Sequence, residues 1–218
     1  MSDGWIRADW PAADGIVAGT TLRDGGFELP AEPRWLNQVH GADVVRWGSA
    51  EFDGAAPDAD AIISDQPASI CVVRTADCLP VLLCARDGGE IAAVHAGWRG
   101  LAAGVIESTV AALTTANEDL MAWFGPAISQ PAFEVGAEVR QTFVQQDPGA
   151  AAAFVENDRG RWQADLYALA RQRLQAVAIS DIFGGDWCTH ADPGRFYSYR
   201  RDGETGRMLS FIYRSHGV

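Results

Sequence analysis

Three residues with metal-binding side chains occur in three short polar motifs of this sequence. His40 stands in Asn-Gln-Val-His-Gly, Cys78 in Thr-Ala-Asp-Cys-Leu-Pro and His95 in Val-His-Ala-Gly-Trp-Arg-Gly. Two imidazoles and one thiolate suit zinc, and three protein ligands leave a fourth position for water or substrate, as in catalytic zinc sites. The 38 and 17 positions that separate these residues are too many for a zinc finger. We therefore expect a catalytic metal centre that the fold assembles from distant segments.

The other cysteines have a simpler interpretation. Cys71 and Cys84 lie in apolar runs, where a cysteine usually behaves as a small hydrophobic residue. Cys78 differs, because it follows Asp77 and precedes a Leu-Pro step that we expect to break a strand and expose the position. Cys188, in Trp-Cys-Thr-His, fits a structural role better than metal ligation.

Arginines near two of the motifs are candidates for binding an anion. Arg99 lies at the expected start of a helix, where backbone amides and a guanidinium can meet a phosphate. Arg200 and Arg201 are followed by Arg207 across a tight turn and are flanked by tyrosines. This cluster is either a solvated hairpin or a surface that stacks on a base and pairs with an anion.

The composition is that of a globular protein. The chain has 218 residues, of which 48% are hydrophobic and 21% charged, with a net charge of −12. That charge argues against a general nucleic-acid or anionic-membrane binder, because both need a basic face. The four cysteines are sparse, and we find neither a signal-peptide pattern nor a transmembrane span. We expect a cytoplasmic protein with reduced thiols and no membrane or nucleic-acid partner. The sequence does not indicate an oligomeric state.

Hydrophobic patterning predicts many short strands and about three long helices. The expected strands cover residues 16–21, 34–47, 61–63, 70–74, 81–85, 91–95 and 121–124, and the expected helices cover 101–113, 133–144, 148–155 and 165–177. Asp165 is a candidate N-cap of the last helix, and residues 196–214 are predicted to form a hairpin. Regular βαβ alternation is absent. The fold class expected is α+β with a mixed sheet rather than a doubly wound fold.

At this point the chain resembles the YfiH-like family, also called the laccase-domain or multicopper polyphenol oxidoreductase family, whose bacterial members include the peptidoglycan editing factor. Six motifs in the family's order carry the resemblance: Gln38–Gly41, Asp58–Ala61, Thr75–Val81, His95–Gly100, Gly125–Ile128 and Phe196–Arg201. The resemblance implies an α/β sandwich shared with cysteine-hydrolase-like proteins, with residues 1–218 forming a single domain. The chain departs from the family's pattern in a shortened segment after Gly26 and at His190, where an aromatic residue is usual.

The resemblance also implies an activity. Family members are described as zinc-dependent purine nucleoside enzymes that phosphorolyse adenosine, inosine and S-methyl-5′-thioadenosine and deaminate adenosine. His40, Cys78 and His95 match the family's metal-site and catalytic residues. In such an enzyme Asp77 would orient a ligand or carry a proton.

In the same enzyme a phosphate would need a guanidinium partner. The candidates for that substrate-binding role are Arg99, Arg200 and Arg201.

Parts of the sequence also bear on three other functions. Cys78 could instead be a nucleophile with a histidine base, in an amidase acting on peptidoglycan precursors. A fourth ligand such as Cys188 or His190 would close the site and indicate a non-catalytic zinc-binding module. Laccase activity is unexpected, because blue and trinuclear copper centres need many more than the four histidines present, of which His216 is not expected to contribute. Copper is expected only as an adventitious occupant.

Overall fold

The computed structural model describes residues 4–215 and has the expected α+β architecture with mixed sheets. The strands are β1 Trp5–Arg7, β2 Ile16–Thr21, β3 Val44–Arg46, β4 Ala61–Ser64, β5 Ile70–Thr75, β6 Leu79–Ala85, β7 Ile91–Ala96, β8 Leu120–Phe124, β9 Glu134–Val135, β10 Phe154–Glu156, β11 Trp162–Ala164, β12 Ile182–Gly184 and β13 Met208–Arg214. The helices are α1 Trp98–Ala103, α2 Val105–Ala112, α3 Ala137–Gln146, α4 Leu166–Ala176 and α5 Tyr199–Asp202. None of the helices in this described range is long and apolar enough to cross a membrane.

Two main sheets form the framework. The larger has six strands in the order β12-β8-β6-β7-β4-β3, with antiparallel pairs inside and parallel pairs at both edges. The second has four antiparallel strands in the order β1-β2-β13-β5. A small third sheet contains β10, β11 and β9.

The central strand β6 shows how the layers pack. All seven of its residues are buried. Because successive side chains of a strand point to opposite faces, Val81 and Leu83 pack with the helices α2 and α4, whereas Leu82 and Cys84 pack with the four-stranded sheet. The result is a helix–sheet–sheet sandwich. Cys71, on β5, lies in the same inter-sheet core as Cys84, and both side chains are fully buried, as predicted.

The predicted strand over residues 34–47 is largely wrong. Only Val44–Arg46 is a strand, and the segment before it is an irregular loop that carries His40. Its backbone amides at residues 39 to 41 donate to the carboxylate of Asp60 rather than to a neighbouring strand. A side chain therefore replaces the sheet partner that the apolar pattern suggested.

Three of the predicted helices differ from the observed ones. The helix expected over 101–113 begins earlier, at Trp98, and is divided into α1 and α2 by Gly104, whose φ of 91° is left-handed. The helix expected over 133–144 starts only at Ala137, after β9. The helix expected over 148–155 is a 3-10 helix, Pro148–Ala153, followed by β10. Only α4 matches closely, with Asp165 capping the amide of Ala168 as predicted.

The predicted hairpin over residues 196–214 is also wrong. Residues Tyr199–Asp202 form the short helix α5, and β13 lies inside the four-stranded sheet between β2 and β5. The partners of β13 are therefore distant in sequence, and the arginine-rich turn connects a helix to a strand.

Candidate metal centre

His40, Cys78 and His95 meet at one end of the six-stranded sheet. One ligand atom from each lies within 4.8 Å of the others. Cys78 immediately precedes β6, and His95 is the second-last residue of β7, which runs antiparallel to β6 with Pro80 opposite His95. The start of one strand thus meets the end of its neighbour, which brings these two residues together. The Leu-Pro step does not break a strand as expected, because β6 begins at Leu79 and includes Pro80.

The buried carboxylate of Asp60 orients both histidines. Its Oδ1 accepts from His95 Nδ1 at 2.7 Å and from the His40 amide at 3.0 Å, and its Oδ2 accepts from the amides of Gly41 at 2.6 Å and Val39 at 3.2 Å. An ionised carboxylate only accepts, so Nδ1 of His95 carries the proton and Nε2 is left for a metal. Burial alone would raise the pKa of Asp60, but these hydrogen bonds outweigh it and hold the pKa below its usual value.

Asp60 was missed as a functional residue in the sequence, although it stands in the Asp-Ala-Asp-Ala motif. The signal available there was an acid directly before a buried strand. Its amide bonds also hold His40 in a left-handed conformation, with a φ of 61°, which is uncommon for a residue other than glycine. The strained loop and the carboxylate of Asp60 together fix the position of His40.

The thiol and the buried imidazole shift one another's protonation. Burial would raise the pKa of Cys78, but hydrogen bonds with His40 and His95 lower it to about 6. Burial would lower the pKa of His95, but hydrogen bonds with Asp60 and Cys78 raise it to about 9. Near neutral pH the metal-free site therefore pairs a thiolate with an imidazolium. Metal binding must displace the proton of His95, so it releases protons.

The absence of a side chain at Gly97 leaves room for this cluster. A Cβ at that position would come within 2.9 Å of Cys78 Sγ and 3.3 Å of His40 Cδ2. The rings of His40 and His95 approach edge to face, with centroids 4.8 Å apart. The donor set, one thiolate and two imidazoles, together with this fitted space suits a zinc ion and fits copper less specifically. Cys188 and His190 are not part of the metal-ligating group found among the described residues, and His216 lies outside them.

A cavity of about 860 Å³ opens in front of the metal centre. Its lining includes all three candidate ligands, the aromatic residues Phe133 and Tyr199, and four arginines, Arg74, Arg99, Arg200 and Arg207. Tyr199 is 61% exposed at this surface. The cavity therefore combines metal-binding, aromatic and cationic groups, which is a combination suited to a polar ligand with a planar part.

Each ligand motif also positions one of the cavity arginines. The amide group of Gln38, two residues before His40, forms hydrogen bonds of 2.8 and 2.9 Å with the backbone N–H and C=O of Arg74. Arg99 follows His95 by four residues and stacks on Trp98, with its guanidinium carbon 4.7 Å from the ring centre. The metal centre and the cationic wall are thus built from the same segments.

Asp77 connects the motif of Cys78 to another cavity arginine, Arg200. Its Oδ2 accepts from the Arg200 amide at 2.7 Å, and its Oδ1 accepts from the Thr189 hydroxyl at 2.6 Å. Asp77 is buried and has a left-handed φ of 93°. Both oxygens accept hydrogen bonds from the protein, so Asp77 fixes the start of α5 beside Cys78.

The remaining predicted site residue, Arg201, is placed elsewhere. It does not line the cavity, and its guanidinium donates to the carbonyls of Thr189, His190 and Phe196 and to the side chain of Asp202. Arg201 therefore holds a loop together. The structure instead places Arg74 in the cavity lining. Arg74 gave no local signal in the sequence because it lies within a strand.

Comparison with known proteins gives matches over most of the chain. Residues 20–215 match the family model described as multi-copper polyphenol oxidoreductase laccase. The Escherichia coli K12 protein named purine nucleoside phosphorylase YfiH is 52% identical over 240 residues, covering 95% of this chain and 98% of the relative, and the Shigella flexneri protein of that name is 54% identical over the same coverage. Among solved structures, a Neisseria meningitidis protein has a TM-score of 0.90 and 41% identity, covering 97% of this chain and 99% of its own. YlmD from Geobacillus stearothermophilus has a TM-score of 0.87 and 28% identity, covering 99% and 98%.

Proposed function

The chain belongs to the multi-copper polyphenol oxidoreductase laccase family, and we propose that within it this protein is a zinc-dependent purine nucleoside enzyme. The reactions proposed are phosphorolysis of adenosine, inosine and S-methyl-5′-thioadenosine and deamination of adenosine. The observation that carries the proposal is a three-ligand metal site that opens into an arginine-lined cavity. The relatives named purine nucleoside phosphorylase support the choice of substrate class.

His40, Cys78 and His95 would hold the zinc ion. When bound, zinc supplies Lewis acidity and activates a water molecule. Asp60 would hold Nδ1–H of His95, so that Nε2 faces the ion, and would fix the loop that carries His40.

Phosphorolysis needs an anion held beside the ribose while the base leaves. Arg99 and Arg200 are proposed to bind that phosphate, since both line the cavity and neither is paired with an acid among residues 4–215. Tyr199, next to Arg200 and largely exposed, offers a flat face on which a purine can stack. Asp77 acts through Arg200, by fixing its backbone.

A laccase mechanism is not proposed, despite the family's name. The four histidines of the whole chain are too few for a blue copper site plus a trinuclear cluster. Copper remains an adventitious occupant of the same three ligands. We further propose that residues 1–218 act as one domain and that the protein works in the cytoplasm, where its four free cysteines would stay reduced.

An amidase with Cys78 as nucleophile is the second candidate. It is favoured by the contact of the Cys78 thiol with two imidazoles, which is also the arrangement of a nucleophile with its base. Metal content separates the two candidates. Loss of activity on chelation, restored by zinc, supports the metal enzyme, whereas inactivation by thiol alkylation of metal-free, active protein supports the amidase.

The deciding experiment is a product analysis on protein of known zinc content. Adenosine, inosine and S-methyl-5′-thioadenosine are each incubated with and without phosphate, using wild type, Cys78→Ala and the matched control Cys71→Ala. Free base released only with phosphate supports phosphorolysis, and inosine formed from adenosine supports deamination. No product from any of the three nucleosides with zinc-loaded wild type would refute the proposal.

A further inference from the structure

Four arginines of the cavity lack an acidic partner. None of Arg74, Arg99, Arg200 and Arg207 forms an ion pair within residues 4–215, whereas arginines elsewhere in this range commonly do. Acids are not scarce, because the chain has 29 of them against 17 basic residues. The cavity therefore gathers four arginines without ion-pair partners in an acidic protein, and such a cluster of cationic groups favours the binding of anions.

One inorganic phosphate does not engage all four arginines. A phosphate group carries roughly two negative charges at neutral pH. The cavity lining contains two acids, Asp77 and Glu204, so one phosphate brings the charge of the four guanidiniums close to balance. Within residues 4–215 neither acid forms an ion pair with these arginines, so a phosphate bound by Arg99 and Arg200 leaves Arg74 and Arg207 without an anion.

Arg74 and Arg207 lie at the same end of the four-stranded sheet. Arg74 on β5 is opposite Leu209 on β13, and Thr75 is opposite Met208, so Arg207 directly precedes the paired end of β13. Both arginines line the cavity. Arg74 is thus carried by the four-stranded sheet and Arg207 by the segment that enters it, whereas Arg99 and Arg200 belong to α1 and α5.

The guanidiniums of Arg74 and Arg207 each have some N–H donors bonded within the protein and others free. Arg74 stacks on Trp35 with 5.3 Å between guanidinium carbon and ring centre, and one of its terminal nitrogens donates to the Leu36 carbonyl. Arg207 donates through Nη1 to the carbonyls of Thr205 and Gly206. In each, Nε and the other terminal nitrogen have no acceptor among the described residues. A guanidinium that is held in one orientation and keeps free N–H donors is pre-organised to bind two oxygens of a phosphate group.

We propose that Arg74 and Arg207 form a second anion subsite, and that the substrates this site prefers are nucleosides carrying a phosphate group, that is nucleotides, rather than neutral nucleosides. The nucleoside part of this inference rests on the proposed function. The cavity of about 860 Å³ lies toward the upper end of ligand-pocket sizes and has room for both anions.

The reaction of such a substrate is the same phosphorolysis. The bond between C1′ and the base nitrogen breaks, and its electron pair leaves with the base, which takes up a proton. A bond between C1′ and an oxygen of inorganic phosphate forms. From adenosine 5′-monophosphate the products are adenine and ribose 1,5-bisphosphate, with no oxidant or reductant required.

The test is calorimetric titration of zinc-loaded protein with inosine and with inosine 5′-monophosphate, without inorganic phosphate. Wild type is expected to bind the nucleotide about tenfold more tightly or better, as one charge-assisted contact provides. Arg74→Lys and Arg207→Lys should each lose most of that preference while keeping their affinity for inosine. The control Arg86→Lys, at an arginine paired with Asp181 outside the cavity lining, should keep it.

Equal affinity of wild type for the two ligands would overturn the inference, and so would a loss of inosine affinity equal to the loss of nucleotide affinity in both variants. Inosine and its monophosphate carry no amino group to remove and cannot be phosphorolysed without phosphate, so binding is measured without turnover and this result is separate from the proposed activity. A nucleotide preference in a protein that releases no base refutes phosphorolysis alone, whereas phosphorolysis of adenosine without a nucleotide preference refutes the second subsite alone.

Discussion

Asp60 is the residue whose substitution tests how the metal centre is built. Its two oxygens accept four hydrogen bonds, one from His95 Nδ1 and three from the amides of residues 39 to 41. In Asp60→Asn one oxygen becomes an NH₂ group, which faces donors and cannot accept. At least one pair of these bonds is therefore lost, whichever way the amide is turned.

The expected cost follows from that count. Hydrogen bonds to a charged group contribute about 1.5–3 kcal/mol each, so losing two lowers the free energy of unfolding by roughly 3–6 kcal/mol. Loss of the carboxylate that orients a metal-binding histidine typically lowers metal affinity about 10- to 100-fold. We expect Asp60→Asn to show both effects, in chemical denaturation of the zinc-free protein and in competition with a zinc chelator.

Asp58→Asn is the matched control, because it removes the same charge two positions earlier in the same motif. Asp58 is exposed, and its Oδ1 accepts a single hydrogen bond of 2.6 Å from Asn37. Zinc affinity should change little in this variant. An Asp60→Asn protein with the zinc affinity and stability of the Asp58→Asn control would refute the role of Asp60.

The pH dependence gives the same hypothesis a second measurement. The pKa of Asp60 is lowered from its ordinary value of 3.8, so its stabilising effect is present above pH 3.8 and is lost as the pH falls through the lower, folded-state pKa. The difference in unfolding free energy between wild type and Asp60→Asn, both zinc-free, should be largest between about pH 4 and 6.5 and shrink below about pH 4. It should also shrink as the pH rises toward 9, because the hydrogen bond with Asp60 helps raise the pKa of His95 to about 9. A difference that grows as the pH falls below 4 would contradict the assignment.

Three further predictions concern the surroundings of the centre. Cys78→Ala should abolish zinc binding and activity, whereas Cys71→Ala, in the inter-sheet core, should lose only about 0.5–3 kcal/mol of stability and stay active. Elemental analysis and chemical denaturation measure these effects. An inactive Cys71→Ala together with an active Cys78→Ala would show that the site has been assigned to the wrong residues. Arg200→Lys should raise the phosphate KM of phosphorolysis about tenfold or more with little effect on deamination, and equal effects on both reactions would assign Arg200 to the nucleoside or the fold. Gly97→Ala should weaken zinc binding because its Cβ would lie 2.9 Å from Cys78 Sγ, while Gly54→Ala, with nothing within 4 Å, should not; unchanged zinc affinity in Gly97→Ala would show that the thiol has room to move.

Local patterns were sufficient for the strands of the core. Ile16–Thr21 matches its predicted bounds, and β4 to β8 match to within two residues, because each is a short apolar run between turn residues. The same patterns failed where tertiary partners replaced local ones. Residues before Val44 bond to a buried carboxylate instead of a strand, and β13 pairs with β2 and β5 instead of folding back on residues 196–199.

The three candidate ligands could be singled out in the sequence because imidazole and thiol side chains are rare in this chain and stand in distinctive motifs. Whether a side chain can bind a metal depends on its residue type, so this property can be read from the sequence alone. The cavity's cationic wall did not follow from motifs. Arg201 and Arg74 are indistinguishable as sequence letters, yet one is bonded to three carbonyls of a loop and the other lines the cavity. Where a guanidinium points depends on strand register and on which backbone groups are already paired, and only tertiary structure determines these.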